Sequence, residues 1–167
     1  LVACKTNEIT LLETRYPSNF RPHGITIYET DQLVRIYAIS HVHTTLYRHT
    51  IEVFDFYPDT QKLVHINTLT ASNTILSSPN DLLAIGYDEL LISNDHRDGN
   101  VEQPSLIQQV VLQATRAYDD IFKRRRSSLV YFNTNRPSGQ EFETVKDYKS
   151  VVSFGNGLLL LNEEDGE

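Results

Sequence analysis

A proline-led signature recurs in this chain, and it constrains the fold more than any other feature. Pro22-His23-Gly24-Ile25 precedes an apolar stretch ending in Ser40-His41, and Pro79-Asn80-Asp81-Leu82 precedes another ending in Ser93-Asn94-Asp95-His96. A shorter copy, Gly155-Asn156-Gly157-Leu158, opens the run Leu158-Leu159-Leu160-Leu161. In a repeat fold, equivalent strand starts point at a common axis. That predicts His23, Asn80, Asp81 and Asn156 gathered in one place, beside His41 and His96. Oxygen ligands with paired imidazoles suggest a metal-assisted hydrolytic site.

Most of the sequence reads as short strands. Thr50-Ile51-Glu52-Val53-Phe54-Asp55-Phe56 alternates apolar and polar with period two, as a half-buried strand should. Further strands are expected at 25–28, 33–39, 62–69, 82–85, 90–93, 128–132 and 148–154, with turns at 29–32, 58–60 and 86–89. His23 and Asn80 stand 57 residues apart, enough for one four-stranded blade of about 40–50 residues with its loops. The longer interval to Asn156 suits a blade carrying an insertion. Helices do not alternate with the strands, which argues against a parallel α/β fold. The expected fold is therefore all-β: a β-propeller of about three blades forming a single domain over 1–167.

The insertion is one amphipathic helix at about 104–123. Leu106, Ile107, Val110, Val111, Ala114, Tyr118, Ile121 and Phe122 recur at helical spacing on one side. Pro104 suits a first helical turn. The apolar side either packs on the rim of the sheets, covers the site as a lid, or meets a lipid surface. The run Lys123-Arg124-Arg125-Arg126 reads as a solvated helix end.

A net charge of −7 argues against a nucleic-acid partner, which calls for a basic face. No apolar run approaches the roughly 20 residues that span a bilayer, and residues 1–10 lack the layout of a secretory signal. Cys4 is the single cysteine, so no disulfide closes within the chain.

Alone, His23 reads as a structural histidine fixed between a proline and a glycine. With His41 closing the partner strand, both imidazoles face one end of the sheet and can relay a proton. Asn80 and Asp81 fit a turn or cap as well as a metal. Asn156 in the same frame, between two glycines, tilts the set toward calcium. His41-Val42-His43, with His49 nearby, also admits a zinc reading, but lacks a further placed ligand.

Taken together these stretches resemble the paraoxonase/arylesterase family. The matching segments are Asn19-Phe20-Arg21-Pro22-His23-Gly24-Ile25, Ser40-His41, Ile51-Glu52-Val53-Phe54, Pro79-Asn80-Asp81-Leu82, Ser93-Asn94-Asp95-His96 and Phe154-Gly155-Asn156-Gly157. The resemblance implies a six-bladed β-propeller with two calcium ions in its tunnel, hydrolysing aryl esters and lactones. By that resemblance Asn80 and Asn156 hold the catalytic calcium, while Asp81 and the Ile25 carbonyl hold a structural one. His23 is then the general base, His41 its partner, and Asp95 and His96 accessory residues. It also implies an extracellular or membrane-associated setting and a helix beside the active site at 104–123. Ser40 stands where the family usually has Asn. The family's acidic pair from the first blade is expected upstream of position 1, and an Asp-Asn pair beyond position 167. The chain is thus expected to be a piece of a longer esterase, itself binding calcium weakly and hydrolysing little.

Overall fold

A computed structural model describes residues 2–3, 8–9, 12, 15, 17–43, 47–72, 75–94, 105–121 and 128–145. Its elements, in chain order, are β1 (Val2–Ala3), β2 (Glu8–Ile9), β3 (Pro22–Glu29), β4 (Val34–His43), β5 (Tyr47–Tyr57), β6 (Lys62–Thr70), β7 (Pro79–Gly86), β8 (Glu89–Asn94), α1 (Leu106–Ile121), β9 (Ser128–Asn133) and β10 (Phe142–Val145). Strands β3 to β6 form one four-stranded antiparallel meander, and β7 to β10 form a second. β1 and β2 make a separate two-stranded piece. The described residues therefore hold two blades of a partial β-propeller, where the sequence pattern led us to expect about three. The unit around Asn156 lies outside the described residues.

The second blade holds a strand that the apolar pattern does not predict. Its outermost strand is Phe142–Val145, a segment that the apolar pattern left between strands. The expected strand at 148–154 lies outside the described residues. Phe142 pairs with Phe132 across the β9–β10 ladder, and their rings sit 4.6 Å apart. One apolar side chain against a buried aromatic anchors a strand too short and too polar to show period two.

The core lies between the two sheets. Tyr37, Ile39, Ile51 and Val53 from β4 and β5 meet Leu82, Leu90, Ile92, Val130 and Phe132 from β7, β8 and β9, with Leu76 sealing one end. These alternate residues share one face of each strand, the placement that period-two patterning dictates. On the inner edge Thr26 Oγ1 accepts a hydrogen bond from Ala84 N at 3.2 Å, joining β3 to β7.

A buried polar network ties the sheets at the other end of this core. The Arg35 guanidinium donates to both carboxylate oxygens of Asp55, at 2.8 and 3.0 Å, and also to Asp88 in the β7–β8 turn. Tyr37 donates its hydroxyl to Asp88 Oδ1 at 3.0 Å and accepts from Asp88 N at 2.8 Å. Asp88 has φ +58°, a left-handed conformation that aspartate tolerates better than most side chains. Tyr87, beside it, lies under the guanidinium at 4.2 Å. Burial disfavours the charge on Arg35, but its bonds to Asp55 and Asp88 outweigh that and raise its pKa. Burial likewise raises the Tyr37 phenol well above the ordinary tyrosine range.

Helix α1 begins on a capping box. Ser105 Oγ accepts from Gln108 N at 3.2 Å, and Gln108 Oε1 accepts from Ser105 N at 2.9 Å. The helix falls inside the expected 104–123 span, while the basic run after it lies outside the described residues. Its apolar side is not packed on the sheets: Leu106 and Ile107 are 80% and 77% exposed, and Val110, Val111 and Ile121 are also exposed. No helix among the described residues is long and apolar enough to cross a membrane.

Two measurements test the network. Arg35→Met strands the buried Asp55 carboxylate, so it should cost about 3–5 kcal/mol and lower the urea midpoint accordingly. The Tyr37 phenol loses its proton first in the unfolded chain. Stability should therefore be complete below about pH 10, the ordinary tyrosine value, and fall as pH rises above it. Urea titrations between pH 9 and 11.5 should show that fall, with a shallower slope in Tyr37→Phe.

Candidate functional site

The repeated signature builds the same local device in both sheets. Pro22 pairs with Ser40 and Ile25 with Ala38, so His23 and Gly24 together oppose the single residue Ile39. Pro79 pairs with Asn94 and Asp81 with Ser93, which leaves Asn80 as an extra residue on β7. Each innermost strand thus carries a bulge directly after its opening proline. Proline has no N–H to give the ladder, which suits it to the first residue of a strand or a bulge. A bulge breaks the alternation and re-aims a side chain. Here the re-aimed residues are His23 and Asn80.

Polar side chains on the neighbouring strands hold these bulges. Ser40 Oγ accepts from Arg21 N at 3.0 Å, and Asn94 Oδ1 accepts from Ser78 N at 3.1 Å. In both cases the donor precedes the proline and the acceptor lies opposite it, so Ser40 is the structural counterpart of Asn94. Asn94 is fully buried and also donates to Ile75 O and Ser128 Oγ, at 2.8 and 2.9 Å. Ser93 Oγ accepts from Asp81 N at 3.2 Å.

The two bulges meet across the seam between the sheets. His23 Nε2 donates to Asn80 Oδ1 at 2.6 Å. An amide oxygen only accepts, so the neutral His23 ring carries its proton on Nε2 and keeps a lone pair on Nδ1. The His41 ring lies edge-on to His23, with centroids 4.9 Å apart and planes at 81°. His41 is held in turn: its N–H bonds Arg21 O at 3.1 Å, and its Nδ1 lies 2.9 Å from Nδ1 of His49. Gly24 makes this approach possible. A Cβ there would stand 2.7 Å from Asn80 O, 2.9 Å from Asp81 Cα and 3.1 Å from Asp81 Oδ1.

Of the residues expected at the site, His23, His41 and Asn80 come together around this seam. Asp81 is adjacent, with its Oδ1 accepting from Leu82 N at 2.9 Å. Ile25 closes the first bulge, and its side chain is 61% exposed. Asn156, Asp95 and His96 lie outside the described residues. Among the described residues, no three His, Cys, Asp or Glu side chains converge to hold one ion. The zinc reading of His41 with its histidine neighbours therefore gains no ligand set. Amide and backbone oxygens, the donors expected for calcium, are a different class.

Two features were not resolved by sequence pattern. His49 stands directly opposite His41 on the β4–β5 ladder, a contact visible only once the register is fixed. Glu52, in the family-like stretch at 51–54, is buried and accepts from Thr50, His65 and Thr68 at 2.6, 2.8 and 2.6 Å. Its carboxylate is saturated on the opposite face of β5 and sits apart from the seam. A groove of about 250 Å³ between β6 and the β9–β10 hairpin, lined by Leu69, Thr70, Phe132 and Phe142 among others, shares no residue with the site.

The Arylesterase family profile matches residues 3–118, well over half of the chain and including both bulges. The chain belongs to the arylesterase family. It is 33% identical over 93 residues to serum paraoxonase/arylesterase 2 of Gallus gallus, which covers 55% of the chain and 25% of that relative. It is 36% identical over 80 residues to serum paraoxonase/arylesterase 1 of Rattus norvegicus, covering 47% of the chain and 21% of the relative. Serum paraoxonase/lactonase 3 of Homo sapiens is 32% identical over 78 residues, or 46% of the chain and 21% of the relative. The matched part of the chain spans about a quarter of the length of these arylesterase-family relatives.

The seam is directly testable. Gly24→Ala forces β3 away from β7, because the clash is with backbone atoms that cannot rotate aside. It should destabilise the protein by about 1–3 kcal/mol, read as a lower thermal midpoint.

Proposed function

We propose that this chain supplies part of the active site of a calcium-dependent hydrolase of aryl esters and lactones. The observation that carries this reading is the 2.6 Å bond from His23 Nε2 to Asn80 Oδ1 across two sheets, with His41 set against the same ring. Two blades converge on one polar point, and the residues at that point suit proton transfer from water.

The donor set fits calcium in kind. Asn80 offers an amide oxygen with two lone pairs, one of which His23 uses. Asp81 offers a carboxylate, and Ile25 a backbone carbonyl at the edge of the bulge. Gly24 lets the backbone of Asn80 and Asp81 close against β3, which keeps these donors together. These are hard oxygen donors of the type that calcium takes, six to eight at a time. Asn156 and residues outside this chain would complete the two ion sites. Calcium, when bound, would polarise the ester carbonyl and offset the charge developing on its oxygen.

His23 does the proton work. Its Nδ1 lone pair takes the proton from water as the oxygen adds to the carbonyl carbon, while its Nε2–H stays anchored on Asn80. The ring is then an imidazolium, and His41 beside it offers a second imidazole for passing that proton onward. Asp95 and His96 are proposed as accessory residues that contact substrate. The complete protein is proposed to be a six-bladed propeller with this chain as a single contiguous part of it. An extracellular or membrane-associated setting is part of the proposal, and the relatives' serum names support its extracellular half. A lipid contact through α1, whose apolar side is exposed, is proposed with it.

Hydrolysis of phenyl acetate and a γ-lactone by the whole protein, with calcium and then with a chelator, tests this reading. Turnover should disappear with chelator and recover with calcium. His23→Gln should lower kcat by about 10²–10⁴-fold. Chelator-resistant turnover, or an active His23→Gln, would refute it. Calcium-dependent melting without any turnover would instead favour a non-catalytic propeller segment that acts as a binding module, with calcium purely structural.

A further inference from the structure

The histidine pair at the seam continues into a third imidazole that the hydrolytic reading does not use. His41 and His49 are register partners on β4 and β5, with Nδ1 atoms 2.9 Å apart, centroids 4.8 Å apart and planes at 89°. A contact of that length between two ring nitrogens needs one proton between them. One Nδ1 must donate and the other must accept.

The difference in burial sets the direction for the charged pair. His49 is 4% exposed, whereas His41 is only partly buried and lies nearer the exposed His23. A positive charge shared between the two rings is less costly on the better solvated one. Once charged, His41 carries protons on both nitrogens and can only donate. The 2.9 Å contact then persists only if His49 Nδ1 accepts. If His49 already accepts in the neutral state, nothing has to rearrange when the proton arrives.

We infer that His49 is a positioning residue for His41: it accepts His41 Nδ1–H and fixes that ring's tautomer, so that the lone pair on Nε2 is available to the site. The role matches that of a buried acceptor orienting a catalytic histidine, here filled by a neutral imidazole. The inference rests on the hydrolytic reading only for its catalytic consequence. Among the described residues, charged and titratable groups on the surrounding elements include His23 on β3, Arg21 before it, Asp81 on β7, Glu52 with His65 on the other face of β5, and Arg35 with Asp55 and Asp88 at the far end of the His41–His49 face. Of these, His23 is the one in ring contact with His41.

Nitrogen-15 NMR of the uniformly labelled chain reads the bond itself. A nitrogen–nitrogen coupling should connect His41 Nδ1 and His49 Nδ1, with the proton on His41. His49→Leu should abolish the coupling and let the His41 tautomers average. His49→Asn, whose amide oxygen reaches the same point, should keep His41 in the Nδ1–H form. In the whole protein, His49→Leu should lower kcat for phenyl acetate at least tenfold with little change in KM, and His49→Asn should restore most of it.

An absent coupling, a proton found on His41 Nε2, or unchanged kcat in both variants would overturn the inference. If His49→Leu fails to fold, the wild-type coupling and the Asn variant decide. A wild-type protein that shows the coupling but no turnover sinks the hydrolytic reading and leaves the pairing standing.

Discussion

The two sheets are held in one relative position by a single buried cation. Arg35 extends from β4, takes both oxygens of Asp55 on β5, and reaches across to Asp88 in the turn of the other sheet. Apolar packing between the sheets is non-directional and would accept several offsets. A guanidinium bound by two carboxylates in fixed planes accepts very few. Tyr37 adds direction by donating to Asp88 and accepting from its N–H. The bulges meet at the opposite end of the same interface.

The chemistry follows from a break in regular structure. A perfectly alternating β3 would place His23 according to the ladder, with no reason to face β7. The bulge after Pro22 and its counterpart after Pro79 aim one residue from each sheet at the seam, and Gly24 lets the backbones close to contact. Ser40 and Asn94 then bind the N–H groups ahead of the two prolines. The repeated motif is a way of holding an irregular strand start, and the polar residue in it is what the irregularity presents.

Much of this was legible in the sequence. The two proline-led copies announced equivalent strand starts, and the meander order followed from turns at 58–60 and 86–89. His23, His41 and Asn80 were singled out together, and they meet. The unread parts share a cause. Strand β10 is four residues long and its Phe142 packs against the core, so period two has too few positions to show itself. The pairing of His49 with His41 depends on cross-strand register, which the spacing of the two residues alone does not fix. The capping box at Ser105 was readable as Ser-x-x-Gln but was overshadowed by Pro104. The apolar side of α1 admits rim packing, a lid or a lipid contact, because hydrophobic periodicity gives a helix a face without saying what covers it.

Because His23 and Asn80 belong to separate sheets, the bond between them forms only while those sheets are docked. A transient parting along the interface would break that bond while each sheet kept its own ladder intact. Loss of the seam and loss of secondary structure should therefore be separable events in this protein, with the former coming first on the way to denaturation.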